Sequence, residues 1–157
     1  MQTMTAIGYQ KSLPVEHPEF LTATRLPVPE PGPRDLLIEV RAVAVNPVDT
    51  KVRRRSEPPT GQTKVLGWDA SGVVSAVGTE VSLFKVGDEV WYAGELTRQG
   101  CNAQFQLVDE RLVGPKPRSL SFAAAAALPL TGITSWEILL DRLQVPLRKG
   151  AAASLSQ

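Results

Sequence analysis

The stretch that decides the fold runs from Gly67 to Trp91, G-W-D-A-S-G-V-V-S-A-V-G-T-E-V-S-L-F-K-V-G-D-E-V-W. Val73, Val74, Val77, Val81, Phe84, Val86 and Val90 supply β-branched or aromatic side chains, and Gly72, Gly78 and Gly87 interrupt them at short intervals. Such a pattern predicts short, sharply turned strands. Gly78-Thr79 and Gly87-Asp88 each sit where an apolar run breaks, and glycine tolerates the positive φ that a tight hairpin or bulge needs. A small twisted β-barrel is the expected arrangement, because closure removes exposed strand edges.

Upstream, Leu36 to Val45 reads as a strand with Leu36, Ile38, Val40, Ala42 and Ala44 on one apolar face. Thr5 to Tyr9 and Phe20 to Leu26 read as two shorter strands around a turn-rich loop containing Pro14, His17 and Pro18. Pro27, Pro29, Pro31 and Pro33 alternate in a segment that can be neither helix nor central strand. Pro47 suits the first turn of a short helix through Arg55, and the cluster Lys51, Arg53, Arg54 and Arg55 reads as a solvated helix end rather than a phosphate site. Downstream, Ala103 to Val108 alternates as a strand, with Asp109-Glu110-Arg111 as its turn. Ser121 caps a helix starting at Phe122, Pro129 and Gly132 break or kink it, and Trp136, Leu139, Leu140 and Leu143 follow at helical spacing as a core-packing stripe that ends at Gly150.

The chain has 157 residues, 17 basic and 16 acidic side chains, one histidine and one cysteine. That length suits a single domain with its own core. The near-zero net charge favours neither nucleic acid nor an acidic membrane as partner. No apolar run is expected to reach the length of a membrane span. One cysteine excludes an internal disulfide framework and fits a reducing cytoplasm.

The succession G-x-D-x-x-G-x-V-x-x-V-G followed by F-x-x-G-D-x-V, with Ala44 to Asp49 and Ala127 to Trp136, resembles the GroES-like catalytic domain of the medium-chain dehydrogenase/reductase superfamily, in its zinc-free quinone oxidoreductase branch. The resemblance implies a mainly β fold with C-terminal helices, a partly open GroES-like β-barrel without the family's Rossmann domain. Residues 1–120 would form the barrel, 121–150 a helical segment leading toward that missing domain, and 151–157 a truncated tail. No G-x-G-x-x-G occurs among the twelve glycines, so the main pyrophosphate anchorage for NADPH is expected elsewhere.

The resemblance further implies a small-molecule quinone or enone substrate, hydride transfer from NADPH, homodimerisation through the absent domain and little activity of this chain alone. A stand-alone binding or regulatory module, using the proline-rich loop and the helical stripe, is the competing expectation. Where zinc-dependent relatives carry Gly-His-Glu and a cysteine, this chain carries Trp68 and Asn46. No metal is therefore expected, since a catalytic zinc needs three protein ligands.

Asn46 is expected to face the nicotinamide ribose or the substrate, or to cap the helix after Pro47. Thr131 is expected to contact the nicotinamide ring or to bond back to its helix. Trp68 could wall a flat pocket or sit in the core. Asp49 is expected to stabilise its helix or orient the basic cluster, and Asp69 to make a buried hydrogen bond rather than act as a general acid.

Overall fold

A computed structural model describes residues 2–146. The expected helix end at Gly150 and tail at 151–157 lie outside them. Strand β1 (Thr3–Tyr9) is followed by β2 (Thr22–Pro27), β3 (Asp35–Ala44), helix α1 (Pro47–Arg55), β4 (Lys64–Val65), β5 (Asp69–Val77), β6 (Glu89–Ala93), β7 (Phe105–Asp109) and β8 (Val113–Pro115). Helices α2 (Phe122–Ala126) and α3 (Pro129–Trp136) then lead into a wider π-type stretch at Glu137–Arg142.

The strands make two open sheets, one ordered β2-β1-β4 and one ordered β7-β3-β5-β6-β8. Neither closes on itself, which corrects the fully closed barrel and leaves the partly open one. The sheets meet through an Ala6–Ala103 bridge and the Ile7 N–H donating to the Asn102 carbonyl at 2.8 Å.

Leu36, Ile38, Ala70, Val74, Val90, Tyr92, Cys101 and Val108 form the main core. Period-2 alternation put Leu37 outside, yet it too is buried. The pleat of β3 is unbroken here, since the residue skipped in the register shift is Ser75 of β5, so Leu37 is buried because its own face of the sheet is covered as well. Gly87 has the positive φ expected of a turn, 93°. Gly78 does not; its missing side chain lets the backbone press against the carbonyls of Gly32 and Pro33, which a Cβ would strike. The proline segment is thereby held against the sheet, and Asp35 at its end takes both Nη atoms of Arg98 at 2.8 Å.

Ser121 Oγ accepts from the Ala124 N–H, and Ser71 Oγ donates to the Phe122 carbonyl, so α2 is fastened to the sheet. Gly132 does not break the next helix: its N–H donates to the Leu128 carbonyl at 2.7 Å, and Pro129 sits where it lacks no partner. The expected break before Pro129 is present, since α2 ends at Ala126 and α3 begins at Pro129, whereas the helix runs on through Gly132. Phe122–Arg142 becomes a 21-residue run with a mean hydropathy of 1.4 in its most apolar window, long and apolar enough by length and composition to cross a membrane. This corrects the expectation that no run reaches that length. The stripe is likewise corrected: Trp136 is 62% and Leu143 64% exposed, so neither packs in the core of the described residues.

Candidate functional site

The antiparallel register of β3 and β5 sets Ala44 opposite Asp69. Asn46, two residues beyond Ala44, is extended at φ −124° and ψ 161° and stands at the N-cap of α1, with Pro47 opening the helix. Its backbone N–H donates to Asp49 Oδ2 at 2.8 Å, and its Nδ2 donates to Asp69 Oδ2 at 2.8 Å. The other Asp69 oxygen, Oδ1, accepts from the Leu130 N–H at 2.9 Å in the first turn of α3. One carboxylate thus ties the start of α1 to the start of α3.

Asp69 is fully buried. Burial raises its carboxyl above the ordinary range, the hydrogen bonds from Asn46 and Leu130 oppose that rise, and the Asp49 charge adds to it. Beside it, the buried Cys101 thiol donates to the Asp69 carbonyl at 3.4 Å and is itself held protonated, first by burial and then by the charge of Asp49. Asp49 is 6% exposed, and its Oδ1 is buried without a hydrogen-bond partner.

This geometry decides what Asn46 can offer. A carboxylate only accepts, so the amide must turn a nitrogen toward Asp69, which turns its Oδ1 carbonyl toward the Asp49 N–H in a capping box with the Asp49 side chain. Thr131 follows Leu130 directly, but its exposed hydroxyl lies 3.1 Å from the Leu128 carbonyl and 3.4 Å from that of Ala127, the back-bonding arrangement. Asn46, Asp49 and Asp69 come together, with Thr131 one residue from the knot.

Trp68 stands apart. At 1% exposure it packs with Tyr9 and Leu66, and its Nε1 donates to the Glu95 carbonyl, so it presents no ring face to a pocket. The pocket-wall expectation is corrected; the indole fills the space between the helix and the sheet. Arg53 corrects the solvated basic cluster. It is 3% exposed, stacks over the Tyr9 and Phe20 rings at 4.2 and 4.4 Å, and donates to the Leu13 and Phe20 carbonyls.

Among the described residues no group of three or more His, Cys, Asp or Glu side chains could hold a metal ion. Asp69 has both carboxylate oxygens engaged, and the Cys101 thiol, which donates to the Asp69 backbone carbonyl, is kept neutral. These residues do not fit a catalytic zinc.

The alcohol dehydrogenase GroES-like domain family matches residues 32–129. A zinc-type alcohol dehydrogenase-like protein of Staphylococcus epidermidis is 40% identical over 138 residues, 88% of this chain and 40% of that protein. Among solved structures, a candidate zinc-dependent alcohol dehydrogenase from Rhizobium etli CFN 42 superposes with a TM-score of 0.89 at 53% identity, over 96% of this chain and 44% of the other. The Escherichia coli quinone oxidoreductase complexed with NADPH gives 0.71 at 30% identity, over 88% and 41%. The chain spans about two-fifths of the length of the curated relatives it matches.

Proposed function

The chain belongs to the alcohol dehydrogenase GroES-like domain family, and from that membership we propose that it forms the substrate side of a zinc-independent oxidoreductase that passes hydride from NADPH to a quinone or an α,β-unsaturated carbonyl. The observation that carries this reading is the knot in which Asp69 holds the Asn46 amide and the Leu130 N–H at once. When bound, the reduced nicotinamide supplies the hydride. Asn46 would face its ribose end, and the backbone around Thr131 would border the ring.

Without a Lewis acid the rate comes from positioning and from hydrogen bonds to the developing oxyanion. That suits easily reduced acceptors such as quinones and enones. A rigid, desolvated Asp69 serves positioning, because one side chain holds both Asn46 and Leu130, which lie 23 and 61 residues from it in sequence. On this reading a nucleotide-binding domain would supply the pyrophosphate anchorage and any dimer contact, and residues 2–146 by themselves are expected to turn over little. A cytoplasmic site of action accompanies the proposal.

Joined to such a domain, the protein is expected to oxidise NADPH with 1,4-benzoquinone at an undiminished rate after exhaustive chelation, followed by the loss of nicotinamide absorbance. Activity abolished by the chelator and restored by zinc would overturn the metal-free mechanism. Failure with every quinone and enone would overturn the substrate class.

The exposed Trp136 and Leu143 favour one second reading, a binding module that uses this face. Under it the chain alone is monodisperse and captures a partner through α3; a chain that instead self-associates and binds hydrophobic dye supports the oxidoreductase portion.

A further inference from the structure

The connection between β8 and α2 carries a lysine whose charge is turned inward. A lysine ordinarily lays its stem along the protein and leaves the ammonium in water. The Lys116 side chain is 5% exposed, and its Nζ donates to the Leu120 carbonyl at 2.7 Å and to the Pro117 carbonyl at 3.2 Å. Glu89 Oε2 on β6 lies 3.2 Å from the same nitrogen, and the Phe122 ring lies under it at 5.2 Å. Three donors thus meet three acceptors, which is what a buried cation requires.

These partners sit where α2 begins. The Leu120 N–H closes a turn onto the Pro117 carbonyl, and Ser121, the next residue, caps the helix. Ser71 of β5 holds the Phe122 carbonyl at 2.6 Å. A single anchor would let so short a helix pivot; with Leu120 and Phe122 both held, its direction is set. Ala125 and Ala126 are fully buried at its far end. Immediately beyond, α3 starts at Pro129 and places the Leu130 N–H on Asp69.

We propose that Lys116 is a positioning residue: through the start of α2, its buried ammonium sets where the Leu130 N–H meets the Asp69 carboxylate. Its bearing on hydride transfer rests on the function proposed above, whereas the coupling itself is a property of this chain and is tested without turnover.

Lys116→Met keeps the length and the apolar stem and removes the charge with its donors. In the isotope-labelled chain, hydrogen exchange at the Leu130 amide is expected to quicken about tenfold, the size of losing roughly one hydrogen bond, while the amides of β3 and β5 change by less than about twofold. The Leu130 hydrogen bond also opposes the rise in the Asp69 pKa, so in the variant that carboxyl should titrate at a higher pH. Asp49 and Cys101 face Asp69 as well, and all three groups are followed so that the change is assigned to the right one. A general loss of stability leaves the folded-state titration where it was. Glu89→Gln spares the ammonium and both carbonyls, and is expected to leave the Leu130 rate within about twofold.

An unchanged Leu130 rate in Lys116→Met, an unmoved Asp69 titration, or equal acceleration of every amide would each overturn the proposal. Should that variant fail to fold, native-state exchange of the unaltered chain in increasing urea decides: the amides of Ala125 and Leu130 are expected to share one opening free energy and one urea slope. Opening of Leu130 independently of α2 would count against the coupling equally.

Discussion

Asp69 holds two segments with one side chain: Oδ2 meets the Asn46 amide and Oδ1 the Leu130 N–H. In Asp69→Asn one of those donors must face an N–H₂ group, so a stability loss of about 1–3 kcal/mol is expected in urea unfolding, together with loss of the slow-exchanging Asn46 side-chain amide signal. The same residue shapes the pH curve. Burial raises its native pKa, so the stability it contributes is full below the unfolded aspartate value of about 4 and falls away as pH rises through the raised native value. That segment of the curve should vanish in Asp69→Asn; if it persists, the titrating group is another one. The G-x-D motif marked this residue from its sequence alone, whereas its partner at Leu130 could not be read, because nothing local links positions 61 residues apart.

At the scale of elements, α1 is held on two sides by different physics. Val48 and Val52 pack on Tyr9, Leu66 and Trp68, while Arg53 staples the loop before β2 through its carbonyls and lies over two aromatic rings. Replacing Arg53 with Ala should cost about 2–3 kcal/mol and open residues 11–21 to proteolysis at a rate well above the rest of the chain. Lysine should rescue little, since an ammonium cannot reproduce the planar fork that reaches Ser12, Leu13 and Phe20 together. Recovery of stability in Arg53→Lys would show that charge alone suffices. A run of four basic residues near a helix end reads as solvated; only the returning loop, with Phe20 brought over the helix, selects Arg53 from among them.

For the molecule as a whole, two open sheets leave one end of the chain under-covered. Trp136 in α3 is 62% exposed, so Trp136→Gln should leave the unfolding free energy within about 0.5 kcal/mol of the original while lowering hydrophobic-dye binding and self-association. A large stability loss would mean that the indole packs within the chain after all. The sequence by itself determined most of the strands, the helix starting at Pro47 and the cap at Ser121, because strand alternation, turn glycines, proline and N-cap chemistry all act over a few residues; the short β4 and β8 carried no such signal. It also pointed to Asn46, Asp49 and Asp69 through their motif. Only the tertiary structure decided how the two sheets meet, that Leu37 is buried, that Trp68 is core, that Arg53 is buried and that Trp136 is bare. Each of these depends on register between distant strands or on which surface happens to meet another, and burial is a property of the assembled chain rather than of any local run of residues.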